Sequence, residues 1–105
     1  MSQLTVYRNK NPESRAKFPY LLDVQSDLLS DLRTRVVIPL CSRAWLDSKP
    51  ITRLILELEV EGEKLLMMTP QLAGVSVKDL GEPVTSLAEH RADIIAALDL
   101  LITGF

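Results

Sequence analysis

Between Ile51 and Val60 the chain alternates apolar and charged side chains with a period of two. Leu54, Leu56, Leu58 and Val60 fall on one side, while Arg53, Glu57, Glu59 and Glu61 fall mostly on the other. Successive strand side chains point to opposite faces, so this run demands a sheet with one buried and one wet face. Glu61-Gly62-Glu63 then interrupts the pattern before Lys64-Leu65-Leu66-Met67-Met68, which predicts a tight antiparallel hairpin. A hairpin alone is marginal in water, so other elements must cover its apolar face.

Those elements are short. Leu4-Thr5-Val6-Tyr7 and Tyr20-Leu21-Leu22-Asp23-Val24-Gln25 read as two strands that can pair, with Asn9 to Arg15 as a polar loop between them. Ser26 to Asp31 reads as a turn that carries Leu28 and Leu29 at its tip. Thr34 to Cys41 is a third strand, and Pro39 within it, which cannot donate to a ladder, marks an edge or a bulge. Residues 42 to 50 form a connection holding Trp45, and Val75-Ser76-Val77 is a further short strand.

Near the end the period changes from two to 3.6. Pro83 precedes a helix spanning roughly residues 86 to 102, and Ser86-Leu87-Ala88-Glu89 fits a capping box. Leu87, Ile94, Ile95, Leu98, Leu101 and Ile102 share one stripe, the expected core face, and Gly104 is the stop. Ala92, Ala96, Leu100 and Thr103 form a second line on the opposite side. Small residues tolerated at a surface and a contact with another chain both account for it.

A chain of 105 residues, 47% hydrophobic and 25% charged, suffices for one folded domain and is unlike a disordered one. The net charge of -2 argues against bulk electrostatic binding to nucleic acid, so any DNA contact is expected through a partner. Cys41, the one cysteine, follows Val36-Val37-Ile38 and reads as a buried structural thiol. MSQLTVYRNK lacks the apolar region of a signal peptide, and no apolar run approaches the ~20 residues of a membrane span, so a cytosolic location is expected.

Catalytic constellations are scarce. His90, between Glu89 and Arg91, reads as a surface histidine rather than a base, and no zinc-ligand spacing or glycine-rich phosphate loop is present. Asp23, Asp27 and Asp31 read as turn formers and caps, and Glu57, Glu59, Glu61 and Glu63 as a solvated strand face that also protects an edge. The features left unexplained are apolar and exposed: Leu28-Leu29, the second helix line, and Ile102-Thr103-Gly104-Phe105. This pattern indicates a partner-binding module, with no cofactor expected.

Asp23-Val24-Gln25-Ser26-Asp27-Leu28-Leu29, Val37-Ile38-Pro39-Leu40, Met67-Met68-Thr69 and Val75-Ser76-Val77 resemble, in order and spacing, the CcdB toxin family. The amphipathic helix closing in Gly104-Phe105 is similar too. The resemblance implies a mainly β fold with one C-terminal α-helix, an SH3-like antiparallel barrel of the CcdB/MazF toxin type. It implies a homodimeric toxin of a type II toxin–antitoxin module that traps DNA gyrase on cleaved DNA by binding its A subunit. A CcdA-like antitoxin neutralises such toxins, and operator DNA is reached only indirectly, through the antitoxin.

Carried over by position, the gyrase-binding residues are Thr103, Gly104 and Phe105, with Asp99 at the nearby polar helix position and Leu28 and Leu29 as the supporting apolar turn. Thr103 stands where the family pattern has tryptophan, Phe105 where it has isoleucine, and Ser76 where a proline is usual. The loop from Asn9 to Lys17, part of the antitoxin-binding region in relatives, is longer here. Two alternatives remain open: a MazF-like endoribonuclease, for which Arg33, Arg35 and Arg53 supply charge, and a gyrase-inactive relative acting as an antitoxin-binding corepressor.

Overall fold

The hairpin read from the sequence is present and anchors one end of the sheet. In the computed structural model, which describes residues 2–45 and 53–104, strand β4 (Ile55–Val60) runs into β5 (Glu63–Met68) with Val60 opposite Glu63. The two linking residues, Glu61 at φ 52° and Gly62 at φ 79°, both take the left-handed region. A two-residue turn of that kind matches the right-handed twist of its strands. Residues 46–52 and Phe105 lie outside the described residues, and Leu54 belongs to a turn before β4.

The other strands are β1 (Thr5–Asn9), β2 (Tyr20–Asp23), β3 (Thr34–Ser42), β6 (Ala73–Ser76) and β7 (Leu80–Ser86), followed by helix α1 (Arg91–Thr103). Among the described residues they make one antiparallel sheet in the order β4-β5-β3-β2-β1-β7, with β6 also pairing β3. The sheet curls into a half-barrel, the mainly β architecture with one C-terminal helix expected from the sequence. β4 lies at one end of the strand order, where exposed Glu57 and Glu59 discourage edge-to-edge pairing.

Both faces of β3 are covered, which is why Val36 to Cys41 is apolar without a break. Ile38 and Leu40 pack inward with Leu22, Leu58, Val60, Leu65, Met67 and the helix residues Ile94 and Ala97. Val37 faces outward with Tyr7, Leu21 and Leu80, and Cys41 with Leu66 and Met68. Leu4 fixes one corner: buried, at φ 68°, it donates to Asp23 O (2.6 Å) and accepts from Leu87 N–H (2.8 Å). A leucine holds that sparsely populated conformation only where its surroundings impose it.

Two expectations for the strands need correction, and one strand is additional. Pro39 is at neither an edge nor a bulge; it is buried in a central strand opposite Leu21 of β2. On the other side of β3, β6 pairing ends at Val37 and β5 pairing starts at Leu40, so Pro39 sits in the gap, where a missing donor does little harm. The further short strand is Ala73–Ser76, and Val77–Asp79 turns away as a 3₁₀ segment. Strand β7 was not visible in the sequence, because Gly81 and Pro83 disguise it; it pairs β1 with two register shifts around Tyr7, which faces Pro83.

The helix also begins later than expected. Ser86 ends β7, its Oγ accepting from Ala88 N–H at 3.2 Å, and a 3₁₀ turn over Ala88–His90 precedes α1. Glu89 lies 3.6 Å from His90 Nε2 rather than closing a capping box. Leu87, Ile94 and Ala97 are the buried positions, Leu98 packs at their margin, and Ile102 is 72% exposed because the last turn runs past the core. Gly104 ends the helix as expected, at φ 81° with its N–H on Leu100 O.

Candidate partner-binding surface

At the C-terminal end, α1 closes on itself. Thr103 Oγ1 donates to Asp99 O at 2.7 Å, which brings together two of the residues marked out by the sequence, and Gly104 caps Leu100. Asp99, Ile102, Thr103 and Gly104 are all exposed. The side chains of this end therefore contribute little to the core and present a mixed apolar and polar tip.

Leu28 and Leu29 occupy a 3₁₀ turn over Asp27–Leu29, with Leu28 94% exposed, Leu29 49% and Leu32, which no motif in the sequence marks out, 50%. Ser26 Oγ accepts from Leu28 N–H, and Asp27 Oδ1 accepts from the Gln3 backbone N–H at 2.7 Å. Gln3 in turn accepts from Arg91 Nη1 at the first residue of α1. The leucine turn is thus tied to the N-terminal end of the helix, and Thr103 lies twelve residues, roughly 18 Å of helix axis, further on. Within one chain the two groups of expected contact residues belong to different ends of α1.

Beneath the turn lies an ion pair. Arg35 donates to Asp23 Oδ2 from Nε at 2.9 Å and from Nη2 at 2.6 Å, and neither side chain reaches water. Gln25 N–H takes the other Asp23 oxygen at 3.0 Å, and Asp27 stands 4.0 Å from Arg35. Asp23 is therefore more than a turn former, and Arg35 is not an available cation for a phosphate. The signal in the sequence was faint: one arginine at the head of an apolar strand. Arg33 and Arg53 are exposed.

Cys41 is buried, and that burial raises its thiol pKa, so it is no activated nucleophile. Arg8 Nη2 (3.0 Å) and the Tyr20 hydroxyl (2.9 Å) both donate to Glu61 Oε1, tying the β4–β5 turn to β1 and β2. A cavity of about 180 Å³ opens on the outer face, floored by Phe18, Leu21, Val37 and Pro39 and rimmed by Asn9, Ser14 and Gln71. It has room for one apolar side chain at the border of the Asn9–Lys17 loop. Among the described residues no group of three or more His, Cys, Asp or Glu side chains is placed to hold a metal ion. No helix among them is long and apolar enough to cross a membrane.

The pattern defining the CcdB protein family matches residues 3–104 of this chain. The chain belongs to the CcdB family. Among solved structures it is similar to an endoribonuclease in complex with its cognate antitoxin from a mycobacterial species. The TM-score is 0.76 at 13% identity, over 97% of this chain and 94% of that one. At that identity the likeness shows a shared fold. The CcdB match thus covers the leucine turn, the buried pair beneath it and the helix end together.

Proposed function

We propose that this CcdB family member is the toxin of a type II toxin–antitoxin module and poisons DNA gyrase by stabilising the gyrase–DNA cleavage complex. The observation that carries the reading is the exposure of Leu28 and Ile102, at 94% and 72%, on a CcdB family chain. Exposed apolar side chains of this kind desolvate well against a partner. A homodimer presents each group twice, matching a two-fold target. A poison of this type needs no bond-making residue; its effect is limited by its differential affinity for the trapped state.

A CcdA-like antitoxin is the expected second partner. The cavity beside the Asn9–Lys17 loop suits an apolar side chain from it, and operator DNA is contacted through the antitoxin, consistent with the net charge of -2. The test is gyrase-mediated linearisation of supercoiled DNA with purified protein. The full chain should give linear product, deletion of Thr103 to Phe105 should abolish it with folding and antitoxin binding retained, and Thr103→Trp should strengthen it by adding rigid aromatic area. No linear product together with cleavage of single-stranded RNA makes the protein a MazF-like endoribonuclease. Neither activity, with tight antitoxin binding, makes it a corepressor.

A further inference from the structure

None of Asp27, Leu28 or Leu29 is buried, so the turn that displays the two leucines has no apolar anchor of its own. Its shape rests on hydrogen bonds, and one side chain bridges it to strand β3 by such bonds. We propose that Gln25 is a positioning residue that holds the Leu28–Leu29 turn in its partner-ready shape. Gln25 is 6% exposed and its amide bridges two elements, Oε1 accepting from Val36 N–H at 3.1 Å and Nε2 donating to Leu29 O at 2.9 Å. Its own backbone is gripped from both sides, N–H by Asp23 Oδ1 at 3.0 Å and carbonyl by Arg35 Nη2 at 3.4 Å.

The buried ion pair therefore holds Gln25, and Gln25 holds the turn. A flexible turn would have to be ordered at the moment of binding, and that entropy would be subtracted from affinity. A turn ordered in advance spends no affinity in this way. The amide also explains why glutamine suits the position: one end must accept from Val36 N–H while the other donates to a carbonyl, and an amide does both.

The identity of the partner rests on the gyrase reading; the ordering of the turn does not. Gln25→Glu keeps the acceptor for Val36 N–H and replaces the donor to Leu29 O with an oxygen. Gln25→Met, neutral and of similar length, removes both ties of the amide and serves if burying a carboxylate in Gln25→Glu impairs folding. Hydrogen exchange is read at Leu28, Leu29, Ser30 and Leu32, whose N–H groups close the turn. Either variant should speed exchange there by about tenfold or more with the core amides unchanged, since the opening is local.

Linearisation potency should fall by roughly fivefold or more, yet by less than about twofold when the change is added to Leu28→Ala, because the effect passes through the leucines. A loss of equal size in both backgrounds, or unchanged exchange in the turn, overturns the proposal. If the parent protein yields no linear DNA, the gyrase reading fails, and the exchange rates alone decide whether Gln25 holds the turn.

Discussion

Arg35 and Asp23 meet at 2.6 Å across neighbouring strands, with both side chains wholly removed from water. Both Asp23 oxygens are satisfied, by Arg35 and by Gln25 N–H, but Arg35 Nη1 is buried without a partner. Removing one member leaves an uncompensated charge in a dry site. Arg35→Met should cost about 3–5 kcal/mol in urea unfolding. Asp23→Asn in the same chain should recover part of that, since asparagine still accepts from Gln25 N–H and carries no charge.

Along α1 the cost of truncation should track burial. Ile94→Ala, at a site with no exposure, should destabilise by about 2–5 kcal/mol. Leu98→Ala should cost less than Ile94→Ala, as Leu98 is only partly buried, and Ile102→Ala should stay within about 0.5 kcal/mol. Denaturant midpoints of the three variants check the order.

At Gly81, β7 passes close to β1. A Cβ there would stand 3.0 Å from the Arg8 carbonyl oxygen and 3.2 Å from Arg8 Cβ, so its neighbours must give by a few tenths of an ångström. Gly81→Ala should lose about 1–3 kcal/mol, the usual range for overpacking. Gly74→Ala, with open space around the new Cβ, should lose far less in the same thermal melts.

Burial, followed by the hydrogen bond to Glu61, raises the Tyr20 pKa above 10.0. The neutral phenol is favoured by the fold, so its contribution is fully present below pH ~10 and is lost as pH rises through the higher folded value. Stability measured from pH 9 upward should decline, and Tyr20→Phe should flatten the part of that decline due to this group.

Burial likewise raises the Cys41 pKa above 9.0. The native protein should resist a maleimide at neutral pH over times that label the urea-unfolded chain completely. Rapid labelling of the native state would mean that β3 and β5 part readily.

Much of the fold was legible where one face is wet and the other dry. β4 could be read from its alternation, and the hairpin from Glu61-Gly62, because period and turn chemistry agree there. β7 was hidden because Gly81 and Pro83, both poor strand formers, are selected by close approach to β1 and by irregular pairing at Tyr7. The helix start was displaced because Ser86 ends β7, its Oγ closing a local turn on Ala88 N–H ahead of a 3₁₀ segment rather than capping the helix. The exposed leucine turn was visible as apolar residues among turn formers. Its support was not, since Asp23, Gln25 and Arg35 meet only through the pairing of β2 with β3, which no local pattern encodes.

Pro39 has a consequence for how the chain assembles. Strand β3 carries β6 along its first half and the β4–β5 hairpin along its last part, and the proline stands between them. If the hairpin slid two residues toward the start of β3, Pro39 would stand opposite Leu66, where Cys41 now pairs, and a carbonyl would face a nitrogen with no hydrogen. A misaligned hairpin thus meets a gap in its ladder at once, while the native alignment does not. The proline works as a register stop written into the backbone, penalising that slip in addition to whatever the side-chain packing contributes.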